Sequence, residues 1–556
     1  LIRTLQTLRH LQPRQAFYYV WRRGIGARKV ASWSGELRRR SGGGEYASAP
    51  RIAVDQPVAD IVSFTFLNET LGFPSTAMQW NPPAAKRLWR YNLHYFDFLG
   101  DATRPVQEKC FLLDDWVAAN PQGSEPAWEP YTASLRIVNW CRFIDALPVE
   151  QVRESWVRSL YDQARWLEKN LELHILANHY FENVKAMLFA GAFFNDGNSA
   201  RWLAAFQREL VAQLREQTLT DGGHYERSPQ YHCVLLDGYL DIFELAAAHP
   251  TLFAAATLDT LEATIRAGVA LLQAIATPDD DYPLFNDSAS SALKPSTIIQ
   301  RAQRWNLPSA APAAGIVDLP DTGLYGWKSA NEYFLIDCGD IGPSYQPGHT
   351  HCDFLSYVLM TGGEWLVVDS GVYEYEPGEM RRYVRSTAAH NTVSVDGLEQ
   401  SQVWGEFRVG RRARRLAASL TQRADGIVFD GAYRGFAAGS SGIEHRRRTT
   451  LTVDAANRIR NLRVEDEISA RRALTAQSFI HLHPDLRATV EADRVTLHRG
   501  QTVAATLHLE NVGTMETASG WYCPQFGTKQ PNTVLVLNGA GASPLKFGYT
   551  LEPARD

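Results

Sequence analysis

The sequence contains no apolar run approaching the roughly 18 residues that a membrane span needs, because charges interrupt every candidate, as Asp237 and Asp241 do in CVLLDGYLDIFELAAA. A transmembrane anchor is therefore not expected. Its six cysteines (Cys110, Cys141, Cys233, Cys338, Cys352 and Cys523) show neither CxxC spacing nor a dense framework, so they read as free thiols rather than a disulfide scaffold. Excess charge of one sign is also missing. A formal net charge of −5 over 556 residues suggests no nucleic-acid wrapping, and an acidic ligand must be held by local basic patches. There is no HExxH or HxxxH zinc signature. What is present is apolar material, 45% hydrophobic and 11% aromatic, ample for well-packed cores in two or more domains.

The first 50 residues hold ten Arg or Lys against two Glu and end in the Gly and Ser rich RRRSGGGEYASAP. They read as a basic N-terminal extension and linker, either a solvated helix packed on its own domain or an arm that binds a partner. This stretch lacks an apolar core ending in a small-residue cleavage site, so it does not look like a secretory signal. The chain begins with Leu; with an upstream signal removed the expectation is a periplasmic or secreted protein, and otherwise a cytoplasmic one.

From 51 to 310 apolar residues recur at three and four, as in TASLRIVNWCRFIDAL and VRESWVRSLYDQARWLEKNLE, with turn clusters such as NPQGSEP between them. Consecutive helical hairpins of this kind predict a toroid or barrel of paired helices. From 320 to 556 the texture changes to short alternating or β-branched segments with frequent turns, which predicts an antiparallel β-sandwich. The Pro and Ala rich NLPSAAPAAGIVDLPDTG marks the boundary of this multidomain α+β chain.

Three polar clusters interrupt the apolar pattern. In LANHYFENVKAMLFAG, Asn178, His179, Glu182 and Lys185 recur at helical spacing. They read either as reactive groups or as a loop cap beside an ordinary i,i+3 ion pair. In DGGHYERSPQYH, His224, Tyr225, Glu226, Arg227, Tyr231 and His232 crowd a loop running into a helix, where a rigid scaffold commonly places reactive groups. In PGHTHCDFLSYVL, His349, His351 and Asp353 alternate onto one face of a strand entrance. His351, Asp369 (in VVDSG) and His390 (in STAAHNTVSVDG) form a candidate zinc triad of two imidazoles and a carboxylate, or else structural hydrogen-bonded residues.

Taken in order, LWRYNLHYFDFL, WEPYTASLRIVNW, LANHYFENVKAMLFAGAFF, DGGHYERSPQYH, GHTHCDFLSYVL, VVDSGVYEY and STAAHNTVSVDG resemble the heparinase II/III-like polysaccharide lyases over residues 85–485. The resemblance implies an incomplete (α/α) toroid followed by an antiparallel β-sandwich. It makes Asn178 the carboxylate neutraliser, Tyr231 the catalytic tyrosine and His349 the catalytic histidine of the sandwich side. His179 matches a further catalytic residue and Glu182 a substrate-binding one, and His351, Asp369 and His390 match ligands of a structural zinc ion. Other substrate-binding candidates are Arg136, Tyr225, Tyr383, Arg385 and Trp128.

The chemistry implied is β-elimination next to a uronic acid. The C5 proton is weakly acidic while the neighbouring carboxylate is charged, so an amide donor that stabilises the aci-carboxylate lowers the barrier. A tyrosine can transfer the protons if cations or imidazoles push its phenol down toward the working pH, alone or with His349 as base. Arg381, Arg382 and Arg385, and Arg408 to Arg415, offer counter-charges, while Trp80, Trp89, Tyr91, Tyr95 and Trp128 offer stacking walls. The expected partner is an acidic polysaccharide. Competing expectations are a uronate C5-epimerase, a glycoside hydrolase using Asp221, Glu226 and Asp287, and a noncatalytic polysaccharide-binding protein.

Overall fold

The computed structural model describes residues 2–40, 57–307, 315–435 and 442–554. The predicted Gly and Ser rich linker around 41–50, and much of the Pro and Ala rich boundary, lie outside these residues. Two compact units account for the chain: a helical one of residues 12–217 and 235–265, and a sheet-bearing one of residues 1–11, 218–234 and 266–556. The basic N-terminal stretch is thus divided between the units at residue 12.

The helical unit contains Pro13–Ile25, Arg87–Tyr95, Val106–Ala119, Pro130–Ala146, Glu154–Lys169, Ala177–Phe193 and Gly197–Gln217, together with a hairpin of Ile61–Phe66 and Glu69–Pro74. Ala177–Phe193 is buried along nearly its whole length, which explains why its pattern is apolar all round rather than striped. Fully buried tryptophans, among them Trp89, Trp116, Trp140, Trp156, Trp166 and Trp202, fill the spaces between helices.

Among its described residues the sheet unit holds three larger antiparallel sheets and a two-stranded one of Val403–Trp404 and Arg408–Val409. The largest has eight strands, in the order 414–423, 426–435, 443–453, 459–469, 545–553, 502–510, 494–499 and 486–490. A four-stranded sheet is built from 514–525, 528–541, 474–481 and 393–395, and a five-stranded one from Gly315–Leu319, Leu324–Lys328, Tyr333–Asp337, Tyr357–Thr361 and Glu364–Val367. Inward residues of all three, such as Phe334, Leu359, Val393, Phe429, Val464, Ile480, Leu535 and Tyr549, form one apolar core. Helices first and antiparallel sheets afterwards is the expected class.

The same core encloses a polar knot. In Ile443–Val453, alternation turns His445 and Arg447 inward beside Leu451. Asp466 on the next strand accepts from Arg447 Nε at 2.8 Å and from His445 Nε2 at 2.7 Å. Burial would raise its pKa, but Arg447 and His445 hold the carboxyl well below the usual range. Arg447 Nη1 then donates to Leu355 O at 2.7 Å and Asn391 O at 2.6 Å, tying down two loops that carry site residues.

All six cysteines are free thiols, five of them buried. No described helix is long and apolar enough to cross a membrane.

Candidate active site and metal centre

The loop of DGGHYERSPQYH shows how local sequence places a reactive group. Gly222, at φ +89°, lies where a Cβ would be 2.4 Å from Ala267 O, and a Cβ on Gly223 would be 2.0 Å from Thr322 Oγ1, so side chains at either position would force the loop away. Asp221 accepts from Thr322 N at 2.7 Å and Asp321 N at 3.0 Å and acts as a backbone pin. Ser228 precedes the helix Pro229–Ala248, which starts on proline, and its Oγ accepts from Tyr231 N at 3.3 Å. Tyr231 therefore sits in a fixed first turn.

The Tyr231 ring stacks on the His349 imidazole with centroids 3.8 Å apart, and its hydroxyl is 3.3 Å from Tyr375 Oη. His349 Nδ1 lies 2.9 Å from Asp287 Oδ2, and His349 Nε2 is 3.9 Å from Glu226 Oε2. Asp287 is fully buried and also meets His351 Nε2 at 2.8 Å and Arg381 Nη2 at 2.8 Å. Burial alone would raise its pKa, yet Arg381 and the two histidines hold it well below the usual carboxylate range. An ionised carboxylate only accepts hydrogen bonds. His349 therefore donates through Nδ1, and Nε2 is the ring nitrogen not engaged by Asp287.

The phenol of Tyr231 is pushed up by burial, with Asp287 and Glu226 adding to the effect and Tyr375 and Arg381 opposing it. This corrects the expectation that its surroundings bring it down toward the working pH. Burial outweighs the lowering by Tyr375 and Arg381, so the phenol lies above its ordinary range.

Asp287 enters the sequence reading only as one of three carboxylates available to the competing hydrolase. Its bonds to His349, His351 and Arg381 leave no protonated carboxyl for glycoside hydrolysis, and Asp221 is committed to backbone N–H groups. The turn-rich FNDSAS around Asp287 was the available signal. Asn286, at φ 55°, accepts from His351 N at 3.0 Å and donates through its own N to Asp353 Oδ2 at 3.0 Å, so this loop meets both His349, through Asp287, and the candidate metal centre.

Among the described residues, His351, Asp353 and His390 offer ligand atoms within 4.8 Å of one another, all buried. Each imidazole uses one nitrogen as an anchor: His351 Nε2 on Asp287, and His390 Nδ1 on Asp369 Oδ2 at 2.8 Å. The other nitrogens, His351 Nδ1 and His390 Nε2, are buried without a hydrogen-bond partner, as fits a pair of metal-ligating atoms. Burial works against the charged form of His390, but Asp369 and Asp353 push it up to about 9, so Nε2 takes a cationic partner, proton or metal. Burial raises Asp353 to about 6. This group has Asp353 where the sequence reading has Asp369; Asp369 lies one bond further out, against His390 Nδ1.

In the helical unit, Asn178 is buried in the first turn of Ala177–Phe193. The chain enters that turn through Leu176 (φ 66°) and Ala177 (φ 53°), two consecutive non-glycine residues in the left-handed region, a costly conformation characteristic of functional turns. His179 is partly exposed, its Nδ1 is 3.1 Å from Glu172 Oε1, and its ring lies 4.3 Å from that of Tyr131.

Several expected substrate contacts are structural. Glu182 is buried against Lys185 at 2.8 Å, and Lys185 and Arg142 both face Asp241, so the ordinary ion pair is the correct reading. Arg136, 0% exposed, lies over Trp116 at 4.0 Å and donates to Gln163 Oε1 and Ala127 O. Arg385, 1% exposed, donates to the carbonyls of Thr350, Gly405 and Arg408. Trp128 is buried between Trp116 and Trp166, with Nε1 on Asn120 O, and Trp80 and Trp89 are also core rather than stacking walls. Tyr383 Oη accepts from Trp521 N at 3.0 Å. Tyr225 Oη pairs with Tyr345 Oη at 3.0 Å, in the same sheet unit as Tyr231.

A heparin-sulfate lyase of Pedobacter heparinus is 25% identical over 339 residues, covering 52% of this chain and 48% of its own length. The chain thus spans about half of that relative. FtsZ-localized protein C of Caulobacter vibrioides is 24% identical over 443 residues, 73% of this chain and 71% of its own. The solved structure of a heparan sulfate lyase HepC mutant from Pedobacter heparinus superposes with a TM-score of 0.62 at 16% identity, over 98% of this chain and 88% of its own, which shows a common fold. The model of the heparinase II/III N-terminus matches residues 79–306 and that of the heparinase II/III-like C-terminal region matches residues 311–550. With nearly the whole chain accounted for in that order, and with the tyrosine, histidine and metal-type residues in the matched stretches, this chain belongs to the heparinase II/III-like family.

Proposed function

We propose that the chain is a polysaccharide lyase that cleaves uronate-containing polysaccharide by β-elimination. The observation that carries this reading is the stacked Tyr231 and His349 pair, with His349 Nδ1 tethered to an ionised Asp287. His349 Nε2 is the base that removes the C5 proton. Tyr231, which burial keeps protonated, is the acid that delivers a proton to the leaving glycosidic oxygen. Asn178 is the amide donor to the sugar carboxylate, with His179 beside it, and it stabilises the charge that moves onto that group as the C5 bond breaks. The names of the lyase relatives favour a glycosaminoglycan of the heparan type among the acidic chains considered.

His351, Asp353 and His390 would hold a zinc ion, a donor set of two imidazoles and a carboxylate suited to it. When bound, the ion serves as a structural crosslink between the loops that carry these residues. His351 shares Asp287 with His349, so order at the metal centre fixes the orientation of the base.

The reading is tested by incubating the protein with purified heparan sulfate, chondroitin sulfate, hyaluronan and alginate and following ultraviolet absorbance of unsaturated uronate ends. Absorbance rising with chain scission on at least one substrate is expected. Scission giving only saturated ends would identify a hydrolase, C5 proton exchange without scission an epimerase, and affinity without either a binding protein. Each of those results would overturn the lyase assignment.

A further inference from the structure

The helix Pro13–Ile25 turns its polar side inward and its apolar side outward. Gln15 is its buried residue, with Nε2 3.4 Å from Ile175 O. The other face carries Phe17, Val20, Trp21 and Gly24 at i, i+3, i+4 and i+7, the stripe by which an amphipathic helix normally docks on its own core. Here Phe17 is 58% and Val20 71% exposed, and Ile25 at the end of the helix is 55% exposed. The rings of Phe17 and the half-buried Trp21 stack at 5.8 Å, so the stripe extends from the exposed Phe17 and Val20 to Trp21.

Cations border it. Arg23 is exposed on one flank and Arg28 and Lys29 follow the helix, while Arg14, on the other flank, lies over the Tyr180 ring at 5.7 Å. The guanidinium of Arg23 lies 5.0 Å from the Tyr19 ring and that of Arg28 4.9 Å from the Trp21 ring. Residues 1–35 contain Arg3, Arg9, Arg14, Arg22, Arg23, Arg28 and Lys29 and no Asp or Glu, in a chain whose net charge is −5. An anionic glycan would answer these charges but offers no apolar phase for Phe17 and Val20. A bilayer surface answers both, and tyrosine and tryptophan are the residues that concentrate at its headgroup level.

We propose that the helix Pro13–Ile25 lies on an anionic lipid surface, with the Phe17, Val20 and Trp21 stripe at the headgroup and acyl boundary and Arg23, Arg28 and Lys29 against lipid phosphates. A single short helix of this kind gives reversible attachment that weakens with salt. The attachment is independent of the lyase reading, because no residue of the helix belongs to that chemistry.

The test is sedimentation of the full chain with vesicles of phosphatidylcholine alone and of phosphatidylcholine mixed with phosphatidylglycerol. Salt-sensitive binding to the mixed vesicles is expected. Phe17→Glu with Val20→Glu is expected to lower partitioning by about tenfold or more with an unchanged Tm; Phe17→Ser with Val20→Ser provides a milder pair if the first misfolds. Equal partitioning of wild type and both variants would overturn the proposal. So would a wild-type dimer in light scattering that the variants dissolve, which would make a second copy the occupant of the stripe. Retention on immobilised heparin that falls in the variants, without vesicle binding by the wild type, would overturn it in favour of a glycan.

Discussion

Two regions of this molecule bury polar side chains in apolar surroundings, and they do so to different ends. On the helix Ala177–Phe193, Glu182 and Lys185 neutralise each other three residues apart, with Asp241 and Arg142 completing a closed set. Around Asp287, by contrast, groups from distant parts of the chain converge on one carboxylate, and each histidine there has a second nitrogen that Asp287 does not engage: His349 Nε2, which the proposed mechanism uses for a substrate proton, and His351 Nδ1, which it leaves for a cation. Buried charge that is satisfied locally holds a fold together. Buried charge that anchors one end of an imidazole leaves the other end chemically available.

Substitutions should separate the two regions most sharply through turnover. Tyr231→Phe and His349→Ala are each expected to lower the rate of forming unsaturated ends by about 10²–10⁴-fold, with a near-wild-type Tm in calorimetry. Glu182→Ala should do the reverse. Leaving Lys185 buried with only the more distant Asp241 is expected to cost up to about 3–5 kcal/mol in denaturant unfolding, with unchanged turnover per folded molecule. A Glu182 variant that loses turnover at full stability would return this residue to the substrate.

Acid should affect both regions. Burial lowers His94 to about 3 in the helical unit and His232 to about 4 in the sheet unit. The unfolded chain takes up these protons near pH 6.5 and the folded one does not, so stability is complete above 6.5 and falls as pH drops toward 4. Each histidine is expected to contribute a loss of about 3 kcal/mol across that window, measurable as a falling urea midpoint, and replacement of His232 by Gln should flatten its share. The smallest expected effect belongs to the metal centre. Chelation should lower Tm by a few degrees, restored by zinc, and His390→Ala should abolish both the bound metal and the response. An unchanged Tm with stoichiometric metal loss would contradict a crosslinking role.

Much of the fold was legible because hydrophobic period reports directly on packing: three and four in the helices, two in the strands. Tyr231, His349, His351 and His390 were legible as polar residues standing out from apolar runs. Asp287 and Asp353 were legible only as available carboxylates, since their roles are set by partners that the fold brings together; His349 is 62 positions from Asp287. The arginines were the hardest to read. A guanidinium that will meet sugar and one that will bind carbonyls, as Arg136 and Arg385 do, look the same in a sequence. The outward stripe of Pro13–Ile25 shows the same limit, because periodicity gives a helix its faces without saying which one turns inward.

The division of labour between base and acid is tested most directly by following deuterium uptake at C5 of a cleavable uronate substrate in heavy water. With His349 as base and Tyr231 as acid, Tyr231→Phe should still exchange the C5 proton while failing to break the chain, and His349→Ala should do neither. Exchange that survives in His349→Ala and disappears in Tyr231→Phe would contradict this and make the tyrosine the base.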